Sequence, residues 1–194
     1  MFQNSNRQMS LIKIVPINLP VHLDIDYVAE VVNDTFRIDT IVSDLKIDVS
    51  DAYDDRRNQY RSSVMLAKLD ETAGTTGTGT KILGITELDL FMPILTFVFG
   101  EAQLDGPASV ISSFRLRNEF YGLPENNVLL NERICKEAIH EIAHNFGLLH
   151  CDDYMCVMKS STYVEDIDIK NMELCSSCKE LLENTMSACE APHI

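Results

Sequence analysis

Hydrophobic and polar positions alternate over residues 10–16 with the period of a strand, and Pro20 breaks the chain soon afterwards. From Asp24 the period lengthens. Ile25, Val28, Ala29, Val32 and Phe36 recur at helical spacing and Asp24 can cap them, predicting an amphipathic helix over residues 24–36 whose apolar stripe packs on a sheet. Residues 38–49, rich in Ile and Val with interleaved Asp, predict a second strand. Residues 54–69 place Tyr60, Val64 and Ala67 or Lys68 on helical offsets and predict a second helix. The Thr and Gly stretch 71–80 predicts a mobile surface loop rather than a domain linker. Residues 81–88 predict a third strand, and 96–104 with 108–116, either side of Asp105-Gly106-Pro107, an antiparallel pair. Asn126 or Asn127 can then cap a helix carrying Ile134, Ala138, Ile139, Ile142, Ala143 and Phe146 over much of its circumference. Such a helix is expected to lie buried between lobes. The order of elements predicts an α/β sandwich around a mixed sheet, without internal repeats.

Composition narrows this picture. A chain of 194 residues, 45% hydrophobic, has room for one domain with a substantial core, divided into two lobes around a cleft. No run of about 18 apolar residues suggests a membrane span. Residues 1–10 are polar and lack the apolar segment of a secretory signal, so a cytoplasmic location is expected; Met9 is an alternative start. Thirty acidic against sixteen basic side chains leave a formal charge of −14, a surface that repels phosphate backbones and speaks against nucleic-acid binding. The same charge would attract a basic peptide. Six cysteines all lie beyond residue 130, a crowding that in a cytosolic chain reads as metal binding rather than disulfides.

The chemistry concentrates in residues 140–150. On a helix, positions four apart differ by about 40° in direction and about 6 Å in height, so His140 and His144 converge on one point with Glu141 beside them. Gly147 can take the left-handed conformation that ends a helix and returns His150 as a third ligand. Three neutral imidazoles leave a fourth zinc position for a water whose pKa falls to about 7, with Glu141 as its general base. The reaction that fits is peptide-bond hydrolysis. Cys151, Cys156, Cys175 and Cys178 follow directly, and a C-x-x-C with an earlier cysteine pair fits the closed S₄ site of a structural zinc. Cys135 and Cys189 read as free cysteines.

From His140 to Cys178 the chain reads HExxHxxGxxHCx₄CVMx₁₆CxxC without a gap over 39 positions, and this resembles the archaemetzincin pattern. The resemblance implies a metzincin-like catalytic domain: a mixed, mostly parallel twisted sheet with an antiparallel edge strand, backing helices, a motif-bearing helix and a small C-terminal lobe. It implies an upper lobe over about residues 10–149 and a lower, zinc-stapled lobe over about 150–194. Met158 would form a methionine turn beneath the catalytic zinc. The edge strand, at Phe97, Val98, Phe99 and Gly100, would bind extended substrate by main-chain hydrogen bonds. The expected protein is thus a zinc-dependent metallopeptidase with two Zn²⁺ per chain, a peptide or protein substrate, no nucleic-acid or membrane partner, and a monomeric state by default. The rival reading is a zinc-stabilised peptide-binding module with little or no proteolytic activity. A zinc-ribbon nucleic-acid module is disfavoured by the charge.

Overall fold

A computed structural model describes residues 11–19, 23–76 and 79–189. Met9, Pro20 and the Cys189 side chain lie outside the described residues. The elements are β1 (Leu11–Ile17), α1 (Ile25–Phe36), β2 (Asp39–Val42), β3 (Tyr53–Asp54), β4 (Gln59–Arg61), α2 (Ser62–Thr76), β5 (Thr80–Thr86), β6 (Leu90–Phe91), β7 (Gly100–Ala102), β8 (Ala108–Ser112), α3 (Asn127–Asn145), α4 (Val164–Ile169) and α5 (Ser176–Cys189).

The main sheet has the order β2-β1-β5-β8-β7. Its first four strands run parallel, and β7 closes one edge antiparallel to β8, with Gly100 opposite Ile111 and Ala102 opposite Ser109. This is the expected mixed, mostly parallel sheet. Both faces are covered, as parallel sheets require. Ile12, Ile14, Leu83, Ile85 and Ile111 pack against α1 and α3, while Val15, Ile17, Ile82 and Val110 pack against α2. The side-chain alternation of each strand therefore serves two hydrophobic layers. β3, β4 and β6 form a small second sheet.

Helix α1 follows its sequence pattern closely: Asp24 accepts a hydrogen bond from the Tyr27 N–H, and Val28, Ala29, Val32 and Phe36 are buried. Asn126, rather than Asn127, caps α3 through the Leu129 N–H. Four expectations need correction. The strand expected over 38–49 is confined to Asp39–Val42, an exposed edge strand. Residues 54–61 form a hairpin instead of a helix, because Asp54 accepts from the N–H groups of Arg56 and Arg57 and Asn58 turns the chain at φ 53°. Helix α2 instead spans Ser62–Thr76, taking in much of the expected loop; Leu66, Leu69 and Ala73 continue its buried stripe, and Thr72 returns its hydroxyl to the Lys68 carbonyl. The strand expected over 96–104 is regular only at Gly100–Ala102. Phe97, Val98 and Phe99 approach it irregularly after a turn at Met92–Leu95, with the Phe97 and Phe99 rings edge to face at 5.2 Å.

The end of α3 is fixed against the β7–β8 turn. The Asn145 amide donates to the carbonyls of Gln103 and Ala108, the Lys81 ammonium donates to those of Asn145 and Gly106, and the Asp105 N–H donates to the His144 carbonyl. This anchors the motif helix beneath the edge strand. Cys135 sits wholly inside the core on α3, where burial pushes its thiol up to about 12. In the native protein it should therefore resist alkylation at pH 8 and react only after unfolding; peptide mapping showing rapid native labelling at Cys135 would contradict this placement.

Candidate active site

His140 and His144 are successive turns of α3, and the helix ends at once behind them. The Gly147 N–H caps the His144 carbonyl at 2.9 Å, and Gly147 adopts φ 84°, the left-handed conformation expected for it. The chain then returns His150 to the other two, with ring centroids 5.2 Å from His140 and 4.9 Å from His144.

The tautomers follow from hydrogen bonds. Nδ1 of His140 donates to the Val157 carbonyl at 2.8 Å and Nδ1 of His144 to the Leu148 carbonyl at 2.6 Å. With Nδ1 protonated in each ring, both Nε2 atoms present bare lone pairs, and they face each other at 3.2 Å. Two lone pairs at that distance repel unless a cation lies between them. Tetrahedral zinc bonds of about 2.0–2.1 Å would place two ligand nitrogens about 3.3 Å apart. Burial holds all three imidazoles below their ordinary pKa, which favours the neutral, ligating form.

Glu141 is buried next to this triad, and among the described residues its carboxylate accepts no hydrogen bond. Burial, reinforced by the neighbouring Glu137, pushes its carboxyl well above the usual range. A cleft of about 320 Å³ opens over the triad between β7 and the chain after α3, with Leu104 and Leu149 exposed on its walls.

The second donor set lies behind the third histidine. Ligand atoms of Cys151, Cys156, Cys175 and Cys178 all fall within 4.8 Å of one another, as do those of the histidine triad. The Sγ atoms of Cys151 and Cys175 are 3.8 Å apart, the spacing that tetrahedral bonds of about 2.3 Å require. The Cys175 N–H donates to Cys156 Sγ, and a hydrogen bond from the Cys178 backbone holds the Cys175 thiol below its ordinary pKa. Such N–H contacts favour the thiolate, while burial pushes the Cys156 and Cys178 thiols up. The two sets are tied together, since the Cys151 N–H donates to the Met158 carbonyl at 2.9 Å and the adjacent Val157 carbonyl holds His140.

A buried polar layer, not foreseen from sequence, braces the site. Lys170 pairs with Glu137 on α3 at 3.2 Å and donates to the Lys159 carbonyl; both charged side chains are almost fully buried. Arg133 makes a bidentate contact with Asp168 at 2.7 Å and donates to the Leu116 carbonyl, and Lys136 reaches the Ile167 carbonyl. The signal was three charged residues, Arg133, Lys136 and Glu137, on an otherwise apolar helix face. Buried charge persists only when paired.

The fold matches that of a zinc-dependent peptidase from Methanocorpusculum labreanum, at a TM-score of 0.81 and 31% identity, over 88% of this chain and 99% of that one. It also matches an archaemetzincin structure from Methanopyrus kandleri at a TM-score of 0.79 and 31% identity, covering 92% and 96%. Together with the two donor sets, this makes the protein a zinc-dependent metallopeptidase with one catalytic and one structural zinc site. More narrowly, the chain belongs to Peptidase family M54, the archaemetzincins, whose family model matches residues 40–184. The archaemetzincin of Methanocaldococcus jannaschii is 43% identical over 133 residues, 69% of this chain and 71% of its own. That of Haloquadratum walsbyi is 38% identical over 176 residues, 89% and 99%.

Proposed function

We propose that Glu141 is the general base of peptide-bond hydrolysis at a centre held by His140, His144 and His150, on a substrate strand laid along β7. The observation that carries this reading is the facing pair of bare Nε2 atoms with a buried, unbonded carboxylate beside them. A zinc ion bound there supplies Lewis acidity toward the scissile carbonyl and the attacking water. Glu141 takes a proton from that water and returns it to the departing amine, so one side chain serves both transfers. β7 is the terminal strand of the sheet, and its outer edge offers main-chain groups to an extended peptide. Of the residues expected to do this, Gly100 lies in the regular strand, while Phe97, Val98 and Phe99 lead into it.

Met158 fits the methionine turn: it is fully buried in the same core cluster as the motif helix, and its carbonyl supports Cys151. The four cysteines would hold the structural zinc in a lower lobe that begins near residue 150, below an upper lobe that ends near residue 149. No helix among the described residues is long and apolar enough to cross a membrane. Treatment with 1,10-phenanthroline should abolish cleavage of a fluorogenic peptide, and one added equivalent of Zn²⁺ at the histidine site should restore it. Full activity after that site is emptied, with metal content measured by mass spectrometry, would contradict the proposal.

A further inference from the structure

Gly100 occupies a position in β7 where glycine is not demanded by the backbone. It pairs regularly with Ile111, and it is absent from the residues that adopt positive φ. Glycine within a strand weakens it unless another group must come close. Here one does. A Cβ at Gly100 would lie 2.5 Å from Oε1, 2.8 Å from Cγ and 2.9 Å from Cδ of Glu141, well inside van der Waals contact. The strand's alternation explains the direction: Glu101 turns to the opposite face, where its carboxylate meets the Ser62 hydroxyl at the start of α2, so Gly100 faces α3.

The Glu141 carboxylate accepts no hydrogen bond among the described residues, so its place is set by its helix and by the surface it rests on. We infer that Gly100 is a positioning residue, whose missing side chain forms the seat that holds the Glu141 carboxylate at working distance from the histidine centre. This rests on Glu141 being the base. Any larger residue must push the carboxylate away. The carboxylate is the free end of a flexible side chain, so the fold should yield at little cost. Catalysis should not, because displacing a catalytic group by about 1 Å can cost 10²-fold.

The test is Gly100→Ala in the zinc-loaded protein, assayed on a fluorogenic peptide that the parent cleaves. We expect kcat to fall by about 10²-fold with KM within about threefold of the parent, because Ala keeps every main-chain group that a bound strand would use. Zinc should remain at two per chain, and a crystal structure should show the carboxylate shifted away from residue 100. A merely structural role would not give that split. Glu141→Asp withdraws the carboxylate by one methylene, so in that background Gly100→Ala should cost less than about threefold. Parent-like kcat in Gly100→Ala, or an equal loss in both backgrounds, would overturn the inference. If Gly100→Ala alone fails to fold, recovery of folding in the Gly100→Ala/Glu141→Asp protein supports the seat, and failure of both refutes it. An inactive Glu141→Gln variant beside an active Gly100→Ala variant would defeat this inference alone. A fully active Glu141→Gln variant would defeat the general-base reading beneath it.

Discussion

Glu141→Gln should leave both zinc sites filled while peptide hydrolysis falls by about 10²–10⁴-fold, the usual contribution of a positioned general base. Glutamine keeps the length and shape of the side chain, so its packing against Gly100 survives and only the ability to accept the water's proton is lost. Metal retention follows from the donor geometry, since the facing nitrogens belong to His140 and His144 and their Nδ1 hydrogen bonds run to the carbonyls of Val157 and Leu148. Nothing in that arrangement depends on residue 141. The change should appear in kcat rather than KM, because in the proposed mechanism the carboxylate acts on the reacting atoms and does not grip the peptide. A variant that lost its catalytic zinc would instead show that Glu141 supports the metal.

Cys178→Ser should reduce the zinc content from two per chain to one and unfold α5 with the cysteine turns it packs on. The stretch through α4 keeps its own core contacts and its ion pairs with α3, but α5 has little else to hold it. Helix α5 buries mainly Cys178 and Leu182, with Met186 partly covered, and so short a piece cannot form a core of its own. Structural zinc supplies about 10–16 kcal/mol in small peptides, far more than such a contact surface offers. The damage should spread to the catalytic site. Cys151 follows His150 directly, its N–H is held by the Met158 carbonyl, and the neighbouring Val157 carbonyl orients His140. Loss of such outer support typically costs 10–100-fold in metal affinity, so the remaining zinc should bind about that much more weakly. Limited proteolysis and competition with a chelator of known affinity measure the two effects. Unchanged affinity at the histidine site would mean that the metals are neighbours without coupling.

What could be read from sequence divides along a physical line. Elements whose own pattern decides them were legible: the capped stripe of α1, the motif helix α3, and the parallel strands buried on both faces. The donor sets were legible too, because metal geometry restricts residue type and spacing together. Elements decided by tertiary context were not. The Asp54-to-Asn58 turn makes a hairpin where side-chain periodicity suggested a helix, and α2 runs on through Thr72 and Gly74 because Leu69 and Ala73 pay for its polar end by packing on the sheet. Helix α4 escaped notice because it is short and is started by Asp166 accepting from the N–H groups of Thr162 and Tyr163. The Lys170–Glu137 pair and the Gly100 seat each join residues far apart in the chain. Neither contact leaves a local pattern.

A mass-spectrometric comparison of a diverse peptide library after incubation with the zinc-loaded parent and with Glu141→Gln tests directly the claim that the His140–His150 motif hydrolyses peptide bonds with Glu141 as its base. New termini should accumulate with the parent and stay at background with the variant. Equal cleavage by both, or none by a parent with its histidine site filled, would contradict the claim.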